Sequence, residues 1–357
     1  MSLPTSTRQW ILLNQPTAHP TLSGPSPTFA LTTAPLNPPT ENQLLVQTLY
    51  LSNDPGQRGW ISPTIDPARL YIPPIPLNTP MNARGLCKIL HSRAPGWEVG
   101  EVVLGYPGWK EYAVLDAAQC ERIPKLDGLD VGVTQFLGAL GLTGGMTAWY
   151  GIHEVAKARP GDAVVVSGAA GATGSMVVQI AKHVIGCRRV VGIAGGAAKC
   201  KWVTEYLGAD ACVDYKSPAF VEELVRETDG FVEVYFDNVG GEILDLMLTR
   251  VKCYGRVAAC GAVAEYNKDA ATTGYGIRNW FEIISNRIEV RGFISFDFLG
   301  KGSEEAMREM VRAVREGKIK VDVGNETVVE TGFEGVPATW MKLFEGGNRG
   351  KLITKLV

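Results

Sequence analysis

The stretch Ala163-Val164-Val165-Val166-Ser167-Gly168-Ala169-Ala170-Gly171-Ala172-Thr173-Gly174 decides the fold. Residues 163–166 form a short apolar run after the turn Pro160-Gly161-Asp162, the pattern of a strand buried on both faces. Beyond the glycines, Met176, Val177, Ile180, Ala181, Val184 and Ile185 recur at i, i+3/i+4 spacing, which predicts a helix. The small residues between let the backbone turn sharply, let a pyrophosphate approach the helix N-terminus, and let the helix pack closely on the strand. The spacing is G-x-x-G-x-x-G rather than G-x-G-x-x-G, so the match rests on the strand before it and the helix after it.

Outward from this turn the alternation continues. Strands are predicted at 189–193, 211–213, 232–236, 256–260 and 288–294. Helices are predicted over 199–207, after Ser217-Pro218, from Glu242, and over 303–316 with Ser303 as N-cap. Strands alternating with helices imply right-handed βαβ units and a parallel sheet. Residues 1–40 hold eight of the 21 prolines, and 44–124 read as short strands split by Gly, Pro and Asn/Asp clusters, a mostly β region. After Gly317 strands return at 327–329 and 352–357, so the first domain is expected to take back the C-terminus.

At 357 residues the chain exceeds what one hydrophobic core usually supports, and two domains are the default. Thirty-five basic against 37 acidic side chains leave a net charge of −2, which argues against nucleic acid or an anionic membrane surface as partner. The short apolar runs argue against a membrane span, and the N-terminus does not read as a signal peptide. Seven scattered cysteines without a C-x-x-C pair read as reduced, mostly buried thiols of a cytoplasmic protein.

In NAD-selective folds an acidic residue near the end of the second strand accepts hydrogen bonds from the adenosine ribose. Here that strand runs into Gly195-Gly196-Ala197-Ala198, without a carboxylate, and then Lys199 and Lys201. A 2′-phosphate would meet cations there, so NADPH is expected over NADH. For Lys201 a solvated helix-face charge is an equal alternative.

These residues resemble the zinc-independent medium-chain dehydrogenase/reductases, in particular the NADP-dependent prostaglandin reductase and alkenal double-bond reductase family. The likeness covers nearly the whole chain. Tyr50-Leu51-Ser52-Asn53-Asp54-Pro55 with Arg58-Gly59 is similar to the family's Tyr-Leu-Ser-x-Asp-Pro-x-x-Arg signature. Gly141-Leu142-Thr143-Gly144-Gly145-Met146-Thr147-Ala148, Tyr235-Phe236-Asp237-Asn238-Val239-Gly240-Gly241-Glu242, Gly255-Arg256 through Cys260-Gly261-Ala262 to Tyr266-Asn267, and Asn348-Arg349-Gly350-Lys351 resemble further family segments. The sequence departs from the family over 64–84, which has extra prolines, and at Ala83-Arg84-Gly85.

The resemblance implies an α/β protein. It joins a GroES-like β-rich catalytic domain (1–130 and 317–357) to a Rossmann doubly wound parallel-sheet domain (131–316) that binds NADPH. It implies that Gly168, Gly171, Ala172, Thr173 and Gly174 hold the pyrophosphate and that Lys199 contacts the 2′-phosphate. Tyr215 is expected beside the adenosine, Asn238 and Asn348 facing the cofactor, and Tyr266 and Tyr50 lining the substrate pocket. A homodimer is implied as well.

Zinc alcohol dehydrogenases share this fold but need a catalytic Cys, a Gly-His-Glu motif and often four clustered cysteines. His19, His91, His153 and His183 are isolated and no Gly-His-Glu occurs, so no metal is expected. The expected reaction is reduction of the C=C bond of an α,β-unsaturated aldehyde or ketone by hydride transfer to the β-carbon. A donor to the enolate oxygen is then the main electrostatic need. Tyr266 is the first candidate and Tyr50 the second, with a purely pocket-shaping Tyr266 as the alternative. The α-carbon proton comes from Tyr266 or from water. An NADPH quinone reductase and a non-catalytic NADPH-binding protein are the rival readings.

Overall fold

The computed structural model describes residues 3–269, 272–300 and 302–357. The chain divides into two compact units, one of 1–137, 327–347 and 352–357, the other of 138–326 and 348–351.

In the first unit, β1 (Ser6–Leu12) and β2 (Phe29–Pro35) form an antiparallel pair. The larger sheet contains β3 (Gln43–Ser52), β4 (Gly85–Ser92), β5 (Val102–Gly105), β6 (Tyr112–Asp116) and β7 (Glu121–Arg122). Two strands from late in the chain complete it, β14 (Glu326–Thr331) and β15 (Lys351–Leu356), in the order β14-β15-β3-β4-β5-β7 with β6 also on β3. One face buries Leu44, Val46, Cys87, Ile89 and Val103. A second core gathers Phe29, Trp109 and Trp340, the last from a helix over Val336–Met341 that the sequence pattern did not announce. Arg58, 2% exposed, donates to the carbonyls of Pro16 and Ala18, so it pins the proline-rich opening to the first unit.

The second unit is a six-stranded, all-parallel sheet. It comprises β8 (Ala163–Ser167), β9 (Arg189–Ala194), β10 (Ala211–Asp214), β11 (Val232–Asp237), β12 (Val251–Ala259) and β13 (Glu289–Gly292). Its order is β10-β9-β8-β11-β12-β13, so the strand sequence reverses between β8 and β11. Val164, Val165 and Val166 are each 0% exposed, as a central strand covered on both faces requires. Full burial of one such side chain is worth about 1.5–3 kcal/mol.

A helix, α1, runs through Leu142–Met146, Thr147–Tyr150 and Gly151–Val155, its first and last turns wider than α-helical. The helix after the glycines, α2 (Ala172–Gln179), likewise ends in a wide turn, Ile180–Ile185, closed by Gly186 at φ 75°. Then come α3 (Ala197–Glu205), α4 (Phe220–Glu227), α5 (Gly241–Leu248), α6 (Trp280–Ser285) and α7 (Ser303–Arg315).

Two local expectations are corrected. Ser303 is the first residue of α7 rather than its cap. Gly302 holds the cap position at φ 76°, a left-handed geometry that glycine adopts without steric cost. Strand β12 begins at Val251, five residues before the predicted 256, because its solvent-facing Lys252, Cys253 and Tyr254 hide the apolar run.

Candidate cofactor and substrate site

The glycine turn joins β8 to α2 at the point where the sheet order reverses, the place where open α/β sheets bind ligands. Its three glycines have different reasons. Gly168 has φ +59°, which side chains other than glycine rarely adopt. At Gly174 a Cβ would stand 2.2 Å from the Gly168 carbonyl oxygen and 2.9 Å from Ala169 Cα, so only glycine lets the helix close on the strand. At Gly171 a Cβ would meet only the Gly168 oxygen, at 3.2 Å. A side chain there would stand over the start of α2, which no side chain caps. The first-turn amides at Ala172 and Thr173 therefore have the geometry to receive an anion, and the positive end of the helix dipole favours one.

The terminal segment 348–351 completes this region. The Gly350 amide donates to the Ala170 carbonyl at 2.8 Å, and Gly350 forms a bridge with Gly171. Lys351, 2% exposed, donates to Thr143 Oγ1 at 3.1 Å, and Thr173 Oγ1 donates to the Thr143 carbonyl at 3.3 Å. Asn348 sits at the entrance to this segment, with Nδ2 donating to the Gly350 carbonyl at 2.9 Å. Its side chain shapes the loop that carries Gly350.

Asn238 lies against the other side of the turn, its Cβ 3.3 Å from where a Gly168 Cβ would be. Its Nδ2 donates to the Ser167 carbonyl at 2.7 Å, tying the end of β11 to the end of β8. Just before it, buried Asp237 accepts from Ser167 Oγ at 2.8 Å, Tyr235 OH at 2.7 Å, and the amides of Val239 and Gly240 at 3.0 Å each. Burial, then Asp237, hold the Tyr235 phenol well above its usual value, so it stays a neutral donor. This knot gives the Tyr-Phe-Asp-Asn-Val-Gly-Gly segment a physical reason: every polar side chain in it fixes the switch point.

At the end of β9, Gly196 opens α3 at φ 94°, and its amide donates to Asp214 Oδ1 at 2.7 Å. The ring of Tyr215 lies against Gly195, where a Cβ would come within 2.7 Å of it. Lys199, in the first turn of α3, is half-buried. Desolvation, and then the nearby Lys216 charge, hold its ammonium below the usual lysine value. Lys216, next to Tyr215, is therefore a second cation at this corner, one that the sequence pattern did not single out. Lys201 is exposed and lies 3.9 Å from Glu205, the ordinary helix-face pairing.

Tyr266 follows β12. Its hydroxyl accepts the Ala262 amide at 3.2 Å, and it lines an open pocket of about 490 Å³ with Cys260, Gly261, Phe293, Ile294 and Asp297 among its walls. Burial, with Asp237 adding to it, pushes the Cys260 thiol up to about 12, so it is not a ready nucleophile. Tyr50 lies on β3 of the first unit, opposite Leu86 on β4 and Lys355 on β15. His183 is a packing residue, Nε2 lying 2.8 Å from the Leu207 carbonyl. Among the described residues no three of His, Cys, Asp and Glu gather as metal ligands.

Known proteins resemble this chain over nearly its whole length. Residues 8–123 match the family described as the N-terminal domain of oxidoreductase, and 172–316 the family described as zinc-binding dehydrogenase. The NADPH-dependent curcumin reductase of Escherichia coli is 33% identical over 351 residues, covering 98% of this chain and 96% of that one. The NADP(+)-dependent 2-alkenal reductase of Nicotiana tabacum is 34% identical over 318 residues, 88% of each chain. Among solved structures, CurA of Vibrio vulnificus in complex with NADPH superposes with a TM-score of 0.86 at 33% identity, over 98% of this chain and 99% of that one. The chain belongs to the medium-chain dehydrogenase/reductases, in the zinc-independent branch that contains the prostaglandin and alkenal reductases.

Proposed function

We propose that this protein reduces the C=C bond of α,β-unsaturated aldehydes or ketones with NADPH. The carrying observation is that one unit holds both a glycine turn at its switch point, with cations Lys199 and Lys216 at the next strand end, and an open pocket bearing Tyr266. Bound NADPH supplies the hydride that reaches the β-carbon. Gly168, Gly171, Ala172, Thr173 and Gly174 hold its pyrophosphate by backbone amides, Lys199 holds its 2′-phosphate, and Tyr215 flanks its adenosine. Asn238 and Asn348 fix the two walls of the turn from which they face the cofactor.

As hydride arrives, negative charge collects on the carbonyl oxygen, and the Tyr266 hydroxyl donates to it. The amide of Ala262 already donates into that hydroxyl, which polarises the O–H and strengthens it as a donor. Tyr50 is the second candidate for the same role. The α-carbon is protonated by Tyr266 or by water.

We infer further that the protein works as a cytoplasmic homodimer. All seven cysteines are free thiols, which suits a reducing compartment. Among the described residues no helix is long and apolar enough to cross a membrane. Edge strand β13 is exposed, and α6 presents Trp280, Phe281 and Ile284 at 62%, 71% and 60% exposure, an apolar surface suited to a partner. Antiparallel pairing of two copies about Val290 would set Glu289 of each against Arg291 of the other. Sedimentation as a monomer at micromolar concentration overturns the dimer.

The activity is tested by NADPH oxidation at 340 nm with a panel of alkenals, enones and quinones, with products identified by mass. Saturated carbonyl products support the reading. Turnover of quinones alone makes the protein a quinone reductase, and binding of NADPH without turnover makes it a binding protein.

A further inference from the structure

The pocket that holds Tyr266 is walled by the end of β12 with the turn after it, and by the end of β13 with the turn after that. Its walls are apolar side chains and glycines, apart from the Tyr266 phenol, the Cys260 thiol that burial keeps neutral, and Asp297. Among the described wall residues only Asp297 brings a charge at neutral pH.

Asp297 lies in a short, tight turn, Ser295–Phe298, which is held on both flanks. Before it, Phe293 meets Phe236 of β11 edge to face, with centroids 6.1 Å apart. Within it, Ser295 is buried and Phe298 stacks on the Tyr150 ring of α1 at 4.8 Å and 11°. The Asp297 amide donates to the Ile294 carbonyl at 3.1 Å. Its carboxylate is exposed and, among the described residues, makes no hydrogen bond or ion pair. Two other acids of this unit differ. Asp237 takes the donors described above, and Asp245, 4% exposed, takes the Tyr275 hydroxyl and the amides of Arg278 and Asn279. Those carboxylates hold the fold together, whereas that of Asp297 meets whatever enters the pocket.

We propose that Asp297 sets the charge preference of the substrate pocket. It admits neutral enones, above all those with a hydroxyl at the end remote from the carbonyl, and turns away enones whose remote end is a carboxylate. The proposal rests on the enone reduction proposed above and names which members of that class the site takes. With the carbonyl oxygen at the Tyr266 hydroxyl, the rest of the substrate fills the same pocket, and Asp297 reads it. Specificity is a difference of affinities, and a like charge in the wall supplies it by repulsion. Two like unit charges about 4 Å apart change an equilibrium about fivefold even in water-like surroundings; apolar walls strengthen the effect and salt weakens it. A hydroxyl that meets the same carboxylate gains a charge-assisted hydrogen bond instead.

The test uses benzylideneacetones that carry methyl, hydroxymethyl or carboxylate at the para position of the ring, with the full-length protein and its Asp297→Asn and Asp297→Lys variants. For each, kcat/KM with NADPH is measured, and each compound is also titrated calorimetrically into the protein with NADP+ bound. The carboxylate-to-methyl ratio is taken within each protein and then compared between proteins, so that ring electronics and cofactor affinity cancel. In the parent the carboxylate compound should lie roughly tenfold below the methyl compound. Asp297→Asn should raise the ratio about three- to tenfold and Asp297→Lys further, and added salt should narrow the gap in the parent more than in Asp297→Asn. The hydroxymethyl compound should be preferred to the methyl one in the parent and lose that preference in Asp297→Lys. Turnover with the same carboxylate-to-methyl ratio in all three proteins keeps the reductase and overturns the role of Asp297. A ratio that shifts in binding without turnover keeps the role of Asp297 and overturns the reductase. Neither binding nor turnover of any compound overturns both.

Discussion

The amide of Gly350 donates to the carbonyl of Ala170 at 2.8 Å, so the end of the chain is hydrogen-bonded into the middle of the glycine turn. Gly350 has φ +63°, and a Cβ on it would stand 1.9 Å from the Asn325 carbonyl oxygen and 2.3 Å from its carbon. Gly350→Ala should therefore cost roughly 2–4 kcal/mol from strain and overpacking. It should also weaken NADPH binding, because the loop must leave the turn. Gly186→Ala, at φ +75° with nothing within 4 Å, should cost only about 1 kcal/mol. Thermal melts and cofactor titrations of the two variants check this; equal behaviour would separate the loop from the site.

Lys199→Ala should cost NADPH about 1.5–3 kcal/mol of binding, the scale of a hydrogen bond to a charged group, and leave NADH almost unchanged. KM for NADPH then rises by one to two decades. The Lys199 ammonium is held below the usual lysine value, so it loses charge earlier than a free lysine as pH rises. The preference for NADPH over NADH should accordingly shrink on the alkaline side, and that decline should be absent in the variant. Equal losses with both cofactors would remove the 2′-phosphate role.

Tyr266→Phe deletes a donor whose interaction strengthens as charge moves to oxygen, so kcat should fall more than KM changes. About a 10- to 30-fold fall is expected, the lower part of the range for oxyanion donors, because water can substitute. NADPH affinity, measured separately, should hold. An unchanged kcat moves the role to Tyr50.

His153 packs on Trp149 with ring centroids 4.3 Å apart, and its buried Nε2 has no hydrogen-bond partner. Burial holds its pKa below the usual histidine value, against a smaller opposing effect of Glu154. The folded state thus keeps the ring neutral, while the unfolded chain takes up a proton near pH ~6.5. This residue carries no penalty above that pH, and stability is lost progressively as pH falls from there toward the lowered folded value. His153→Phe should show a shallower drop in Tm between pH 7 and 5 than the parent. Parallel acid limbs would sink the assignment.

The second unit was legible because its information is local. Val164 to Val166, the glycine spacing and the helical period after it all lie within a few turns of chain, and the sheet order follows from right-handed crossovers. The site's remaining partners were not legible in the same way. Nothing in the Asn348-Arg349-Gly350-Lys351 segment encodes that it docks on Ala170, because no period connects residues so far apart. Lys216 was hidden by its exposure on a turn. The wide turns in α1 and α2 also carry no distinct residue pattern, since a π-type turn uses the same apolar face as an α-helical one.

The return of 348–351 to the nucleotide-binding unit, between two stretches that belong to the other unit, has a consequence for dissecting the protein. A contiguous fragment of 138–326 would keep every strand of the parallel sheet yet lose the wall that bonds to Ala170 and the buried lysine that reaches Thr143. Removing the last ten residues would do the same damage while stripping β15 from the first sheet. The two halves are thus written into one another along the chain, and exchanging a nucleotide module with a relative requires two cut segments rather than one.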